Sequence, residues 1–160
     1  MAIQLSGKEF EAIRDGFKEI DKDNDGVISL TEFKECLTDE KEGEAEAVEF
    51  YMKVYDLNSN GVIEFPEFLE VAAYFRYKKK PSDVQIKQMF RALDKDNKGL
   101  IAGDDLTRFY KIFSADDLPD EANLNALIQE LDTNGDGKIN YLEFSKNYKK
   151  FEKHSSNIHM

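Results

Sequence analysis

Four things are scarce in this chain of 160 residues, and each scarcity removes a class of function. Cys36 is the one cysteine, so no intrachain disulfide can form and a reducing compartment, the cytoplasm, is the expected setting. The two histidines, His154 and His159, stand close to the C-terminal end. No Ser/His/Asp or Cys/His grouping is present, and no glycine-rich phosphate loop precedes a helix. The chain is therefore not read as an enzyme. Apolar runs are short: no window approaches the length of a membrane span, and "MAIQLSGKEF" has neither the basic nor the apolar region of a secretory leader. Ala2 stands where N-myristoylation needs glycine, so no stable membrane anchor is expected. Positive charge is the fourth shortage, with 22 Lys and Arg against 33 Asp and Glu and a net charge of −11. Such a surface repels nucleic acid and anionic lipid, and cations are its natural partners.

What the chain does contain is a core and a repeat. Hydrophobic residues make up 41% and aromatics 12%, enough to bury an interior. Four twelve-residue segments recur: "DKDNDGVISLTE" from Asp21, "DLNSNGVIEFPE" from Asp56, "DKDNKGLIAGDD" from Asp94 and "DTNGDGKINYLE" from Asp132. Their first residues lie 35, 38 and 38 apart. Apolar residues at helical spacing flank each segment: Phe17 and Ile20, Met52 and Tyr55, Phe90 and Leu93, Ile128 and Leu131 lie four and one residues upstream. Each segment is thus a loop between two amphipathic helices. Ser6 with Glu9 and Ser82 with Gln85 read as capping boxes, Pro119 suits the first turn of the helix entering the fourth loop, and Gly43 separates the first two helix pairs. Pro81, in "RYKKKPSD", disfavours a continuous helix, which predicts two lobes, residues 1–79 and 80–151, and a flexible tail, 152–160. The basic stretch from Arg76 to Lys80 reads first as a solvated helix end complementing the dipole, and second as a contact for an acidic partner or lipid. Cys36 reads as a small core residue on the helix leaving the first loop.

A hard divalent cation of calcium's size takes six to eight oxygens, and a short loop supplies them by folding around the ion with alternate positions turned inward. The first loop offers Asp21, Asp23 and Asp25 at positions 1, 3 and 5, the Val27 carbonyl at 7, Ser29 at 9 and Glu32 at 12, with Gly26 for the sharp turn at 6. The second repeats this with Asp56, Asn58, Asn60, Val62, Glu64 and Glu67, and the fourth with Asp132, Asn134, Asp136, Lys138, Asn140 and Glu143. Lys138 is no obstacle, because position 7 contributes its main-chain carbonyl. Position 8 is Ile28, Ile63, Ile101 and Ile139, β-branched residues suited to a short strand, which predicts pairing of loop one with two and of three with four.

Helix, twelve-residue loop and helix, four times over with glycine at position 6 and isoleucine at position 8, resembles the EF-hand superfamily and its calmodulin and troponin C branch, over about residues 6–150. The resemblance implies an all-α fold of two lobes, each a pair of helix-loop-helix units with a short antiparallel β-ribbon between its loops. It also implies calcium binding and helix pairs that open to expose an apolar groove for an amphipathic helix of a target protein. Phe10, Phe17, Phe33 and Leu37 could line that groove in the first lobe, and Phe90, Phe109, Leu124, Ile128 and Phe144 in the second, although core is the plainer role for each. Met52 and Met89 are the only internal methionines, so the adaptable surface of a promiscuous binder is missing and a narrower target is expected. A calcium buffer and a light-chain-like constitutive subunit are the alternatives. A monomer is expected.

The third loop departs from the pattern at three positions. Lys98 occupies position 5 with donors only, Ala102 has no side-chain oxygen at 9, and Asp105 at 12 is one methylene shorter than glutamate. A cation 4 Å from another charge costs about 4 kcal/mol per unit charge at an effective dielectric of about 20. The expectation is three calcium sites, with the third loop (Asp94, Asp96, Leu100, Asp105) empty or a weak magnesium or calcium site. Lys98 should pair with Asp94 or Asp96, and the loop persists because the fourth needs a strand to pair with.

Overall fold

A computed structural model describes residues 4–37, 44–113 and 120–155. Gly43, Pro119 and His159 lie outside the described residues, as do the side chains of Leu37 and His154. The element order is α1 (Gly7–Ile20), β1 (Val27–Ile28), α2 (Leu30–Leu37), α3 (Glu44–Tyr55), β2 (Ile63–Glu64), α4 (Phe65–Tyr77), α5 (Asp83–Leu93), β3 (Leu100–Ile101), α6 (Gly103–Phe113), α7 (Glu121–Leu131), β4 (Ile139–Asn140), α8 (Tyr141–Lys146) and α9 (Tyr148–Ser155). Among the described residues the fold is all-α apart from two antiparallel ribbons, β1 with β2 and β3 with β4. Their registers set Ile28 opposite Ile63 and Ile101 opposite Ile139, so the four isoleucines at position 8 pair as the spacing predicts.

Helix ends follow local chemistry. Ser6 accepts the Glu9 amide at 3.3 Å while Glu9 accepts the Ser6 amide at 2.7 Å, and Ser82 and Gln85 repeat the exchange at 3.2 and 3.1 Å. Asp120 caps α7 by accepting from the Asn123 amide at 2.8 Å. Helix α4 stops inside the basic stretch, where Lys78 takes a left-handed φ of 53°.

The chain forms two compact units, Met1–Gln88 and Met89–Met160. In the first, Ile13 and Phe17 of α1 pack with Ile28, Phe33, Val48, Met52, Ile63, Phe68, Ala72 and Ala73. The two alanines, fully buried on α4, bring that helix close to α1. Phe17 meets Phe65 and Phe68 edge-on at 5.4 and 5.5 Å. In the second unit Phe144 anchors the core against Phe90 at 5.7 Å and Phe151 at 5.2 Å.

Two expectations need correction. Residues 152–155 are helical: α9 is held because Tyr148 and Phe151 are buried, Phe151 at 1% exposure against Phe109 and Phe144. Cys36 is exposed and free. On α2 the described buried residues are Glu32 and Phe33, and Cys36 lies on the exposed side of the helix.

Candidate metal centres

Each loop begins where a helix ends, and an aspartate at position 1 folds it. The Asp21 carboxylate accepts the amides of Asp25 and Gly26 at 3.2 and 3.1 Å, Asp56 those of Asn60 and Gly61 at 3.1 and 2.8 Å, and Asp94 those of Lys98 and Gly99 at 3.1 and 2.7 Å. Asp132 accepts Gly135 and Gly137 at 2.8 and 2.7 Å. Turning these amides back on one carboxylate needs left-handed backbone twice. Gly26, Gly61, Gly99 and Gly137 supply it at position 6, with φ of 91°, 91°, 78° and 76°. The second left-handed residue, at position 4, is Asn24, Ser59, Asn97 or Gly135. The sequence reading missed it, although three of the four are Asn or Gly, residues that tolerate this region.

The position-12 glutamates close the ring. Glu32 accepts the Lys22 and Asp23 amides through one oxygen, at 3.0 and 3.4 Å, and the Ser29 amide and hydroxyl through the other, both at 2.9 Å. Glu67 accepts Asn58 and Glu64 amides at 2.9 Å, and Glu143 accepts Thr133 and Asn134 at 3.1 Å and Asn140 at 2.9 Å. All three carboxylates are buried. Bonds from Ser29, backbone first, and from the Asp23 and Lys22 amides hold the Glu32 carboxyl below its ordinary range against the opposing effect of burial.

Position 9 does a job beyond ligation. Ser29 and Asn140 accept the amides of Glu32 and Glu143 at 3.2 and 2.8 Å and so cap the exiting helices, while Glu64 receives the Asn58 side-chain amide at 3.0 Å. At position 7, Val27, Val62 and Lys138 are steadied by their own amides, which donate to the position-5 side chains of Asp25, Asn60 and Asp136 at 3.0, 3.2 and 2.9 Å.

The result is a convergence of hard oxygens. Carboxylate atoms of Asp21, Asp23, Asp25 and Glu32 lie within 4.8 Å of one another, as do those of Asp132, Asp136 and Glu143. Packing like charges this closely is unfavourable without a counter-ion. The Asp25 amide lowers the Asp23 carboxyl, yet desolvation and the charges of Asp25 and Glu32 outweigh it and push the group up. An all-oxygen donor set with a bidentate-capable glutamate fits a calcium-sized ion. The second loop places Asp56, Asn58, Asn60, Glu64 and Glu67 in the same frame, with one carboxylate fewer than the first.

In the third loop the Lys98 ammonium lies 3.6 Å from Asp105 and 3.8 Å from Asp96. Pairing with Asp96 matches the sequence reading; the other partner is Asp105 instead of Asp94, because both Asp94 oxygens already face the Lys98 and Gly99 amides. Leu100 starts β3, and Asp105, buried, accepts the Ala102 amide at 2.9 Å.

Two supporting residues lay beyond sequence reasoning. Buried Gln88 donates to the Asp56 carbonyl at 2.6 Å and to the Ser59 hydroxyl at 3.2 Å, within the unit that carries loop two. Arg108 on α6 donates to the Leu93 carbonyl at 3.0 Å, the last residue before the third loop. A polar side chain on an amphipathic helix carries no periodic signal of such a role.

Fold and loops together define a calcium-binding helix-loop-helix protein, and the chain belongs to the EF-hand family: the EF-hand domain pair matches residues 10–73 and 83–149. It is similar to calcium-dependent protein kinase 21 of Arabidopsis thaliana, 36% identical over 146 residues, 90% of this chain and 26% of that protein. Calcium-dependent protein kinase 13 of the same plant is 34% identical over 142 residues, covering 88% of this chain and 26% of the kinase. Calcium-dependent protein kinase 5 of Plasmodium falciparum is 31% identical over 147 residues, 91% of this chain and 25% of its own length. The chain thus spans about a quarter of the length of these relatives. Among the described residues no helix is long and apolar enough to cross a membrane.

Proposed function

We propose that this protein is a calcium sensor that binds three ions, in loops one, two and four, and exposes an apolar groove to an amphipathic helix of a protein target. The observation that carries it is the gathering of four and three acidic side chains within 4.8 Å in loops one and four, beside a third loop in which a lysine faces the ring. The word "calcium-dependent" in the names of the relatives favours a responsive role over storage. In the structure Phe17, Phe33, Phe90, Phe109, Ile128 and Phe144 are buried, while Phe10 is 38% exposed and Leu124 partly so. Opening the helix pairs would bring these residues to the surface. The setting proposed is cytoplasmic, with no catalytic step performed by these residues.

Calorimetric titration should count three ions in the parent, and Lys98→Asp should add a fourth. Glu143→Gln should remove one ion and the calcium-linked spectral change of the second unit; a change that persists in this variant contradicts the assignment of loop four. Calcium should also raise the fluorescence of a dye that reports apolar surface. Three ions without that rise would favour a buffer, and target binding that survives a chelator would favour a light-chain-like subunit.

A further inference from the structure

The third loop carries charges of its own where its neighbours present only oxygens to the ring. At position 12 Asp105, too short to copy the cross-loop reach of Glu32, Glu67 and Glu143, accepts the Ala102 amide and meets the Lys98 ammonium at 3.6 Å. Asp96, at position 3, lies 3.8 Å from the same nitrogen. The ammonium therefore bridges the first half of the loop to its last residue, and Asp105 is 3% exposed, which keeps solvent from the carboxylate end of that pair while the Lys98 side chain is 42% exposed. A second cation stands at the loop entrance. The Arg108 guanidinium donates to the Leu93 carbonyl at 3.0 Å, at the C-terminal end of α5, where the helix carries partial negative charge. Lys98 and Arg108 thus each set a positive charge against oxygens of the loop or of its entrance.

We infer that the third loop is a lysine-locked anchor: Lys98, bridging Asp96 and Asp105, holds β3 against β4 independently of calcium and so raises the calcium affinity of loop four. Arg108 supports the lock from the helix end. The mechanism is direct, because Leu100 and Ile101 pair with Asn140 and Ile139, and these are positions 9 and 8 of the fourth loop. A loop already in its binding shape loses no affinity to the fraction of molecules in other shapes. Simple repulsion of an ion from loop three, the reading from charge alone, makes no such demand on loop four. The inference rests on loop four being a calcium site.

The test uses the full chain with Lys98→Met, Lys98→Gln and Lys98→Arg. Two readouts serve: calorimetric calcium affinity of loop four, and hydrogen exchange of the β3 amides in chelator. The neutral variants should bind calcium at loop four about fivefold more weakly, the loss expected for one partly shielded ion pair. Exchange at Leu100 and Ile101 should be faster in both, and Lys98→Arg should restore affinity and protection. Unchanged or tighter binding at loop four in Lys98→Met and Lys98→Gln, with unchanged exchange, overturns the inference. Glu143→Gln in the same assay identifies the loop-four ion. If it removes none, the assignment of loop four fails, while exchange at β3 in chelator still decides whether the lysine is a lock.

Discussion

Asp105 differs from Glu32, Glu67 and Glu143 by one methylene, and that small difference changes what its loop can do. A glutamate at position 12 reaches across to the amide at position 3, and in Glu32 and Glu143 to that at position 2 as well, closing the loop through its own side chain. Asp105 bonds the amide nearest to it, at Ala102, and a lysine supplies the span. Tyrosines provide a second test at this scale. Burial pushes the phenols of Tyr51 and Tyr55 up to about 12, and raises Tyr110 as well. A phenol whose pKa is higher folded than unfolded contributes stability that is complete below pH about 10 and lost as pH rises toward 12. Phenolate absorbance should therefore show Tyr51 and Tyr55 ionising late, with the thermal midpoint falling steeply across that interval. Uniform titration near pH 10 in the folded protein would contradict the burial argument.

Helices and loops were legible because their determinants are local. Aspartate at position 1, glycine at 6 and isoleucine at 8 each act within a few residues, and the capping boxes at Ser6 and Ser82 formed as their spacing implied. The C-terminal residues misled for the opposite reason. "EKHSSNIHM" has little apolar content of its own, yet Phe151, just before it, is buried against Phe109 and Phe144, and the helix continues to Ser155. Anchoring of this kind comes from tertiary packing, which composition does not report. Phe151→Ala should cost about 3–5 kcal/mol in denaturant unfolding of the second unit. A loss under about 1 kcal/mol would mean that α9 contributes little to that core.

For the whole chain the controlling quantity is a net charge of −11. Self-repulsion of this size opposes compaction in the absence of bound cations. Raising ionic strength from about 0.01 M to about 0.15 M shortens the screening length from about 30 to 8 Å, so the calcium-free protein should gain thermal stability. A gain of about 1 kcal/mol corresponds to a midpoint shift of about 4 °C. Saturating calcium should shrink the salt effect, because three divalent ions would cancel six negative charges; an undiminished effect would argue against ions bound among the carboxylates.

The repeat, the ribbon pairing and the family were all determined by the sequence alone, since each depends on residues fixed by spacing along twelve positions or by matched copies. Tertiary structure alone decided which carboxylate Lys98 meets, that Gln88 and Arg108 hold the entrances of loops two and three, that Cys36 lies outside the core and that α9 belongs inside it. The physical reason is separation: these contacts join side chains that are brought together by helix packing, and packing is a property of the assembled chain.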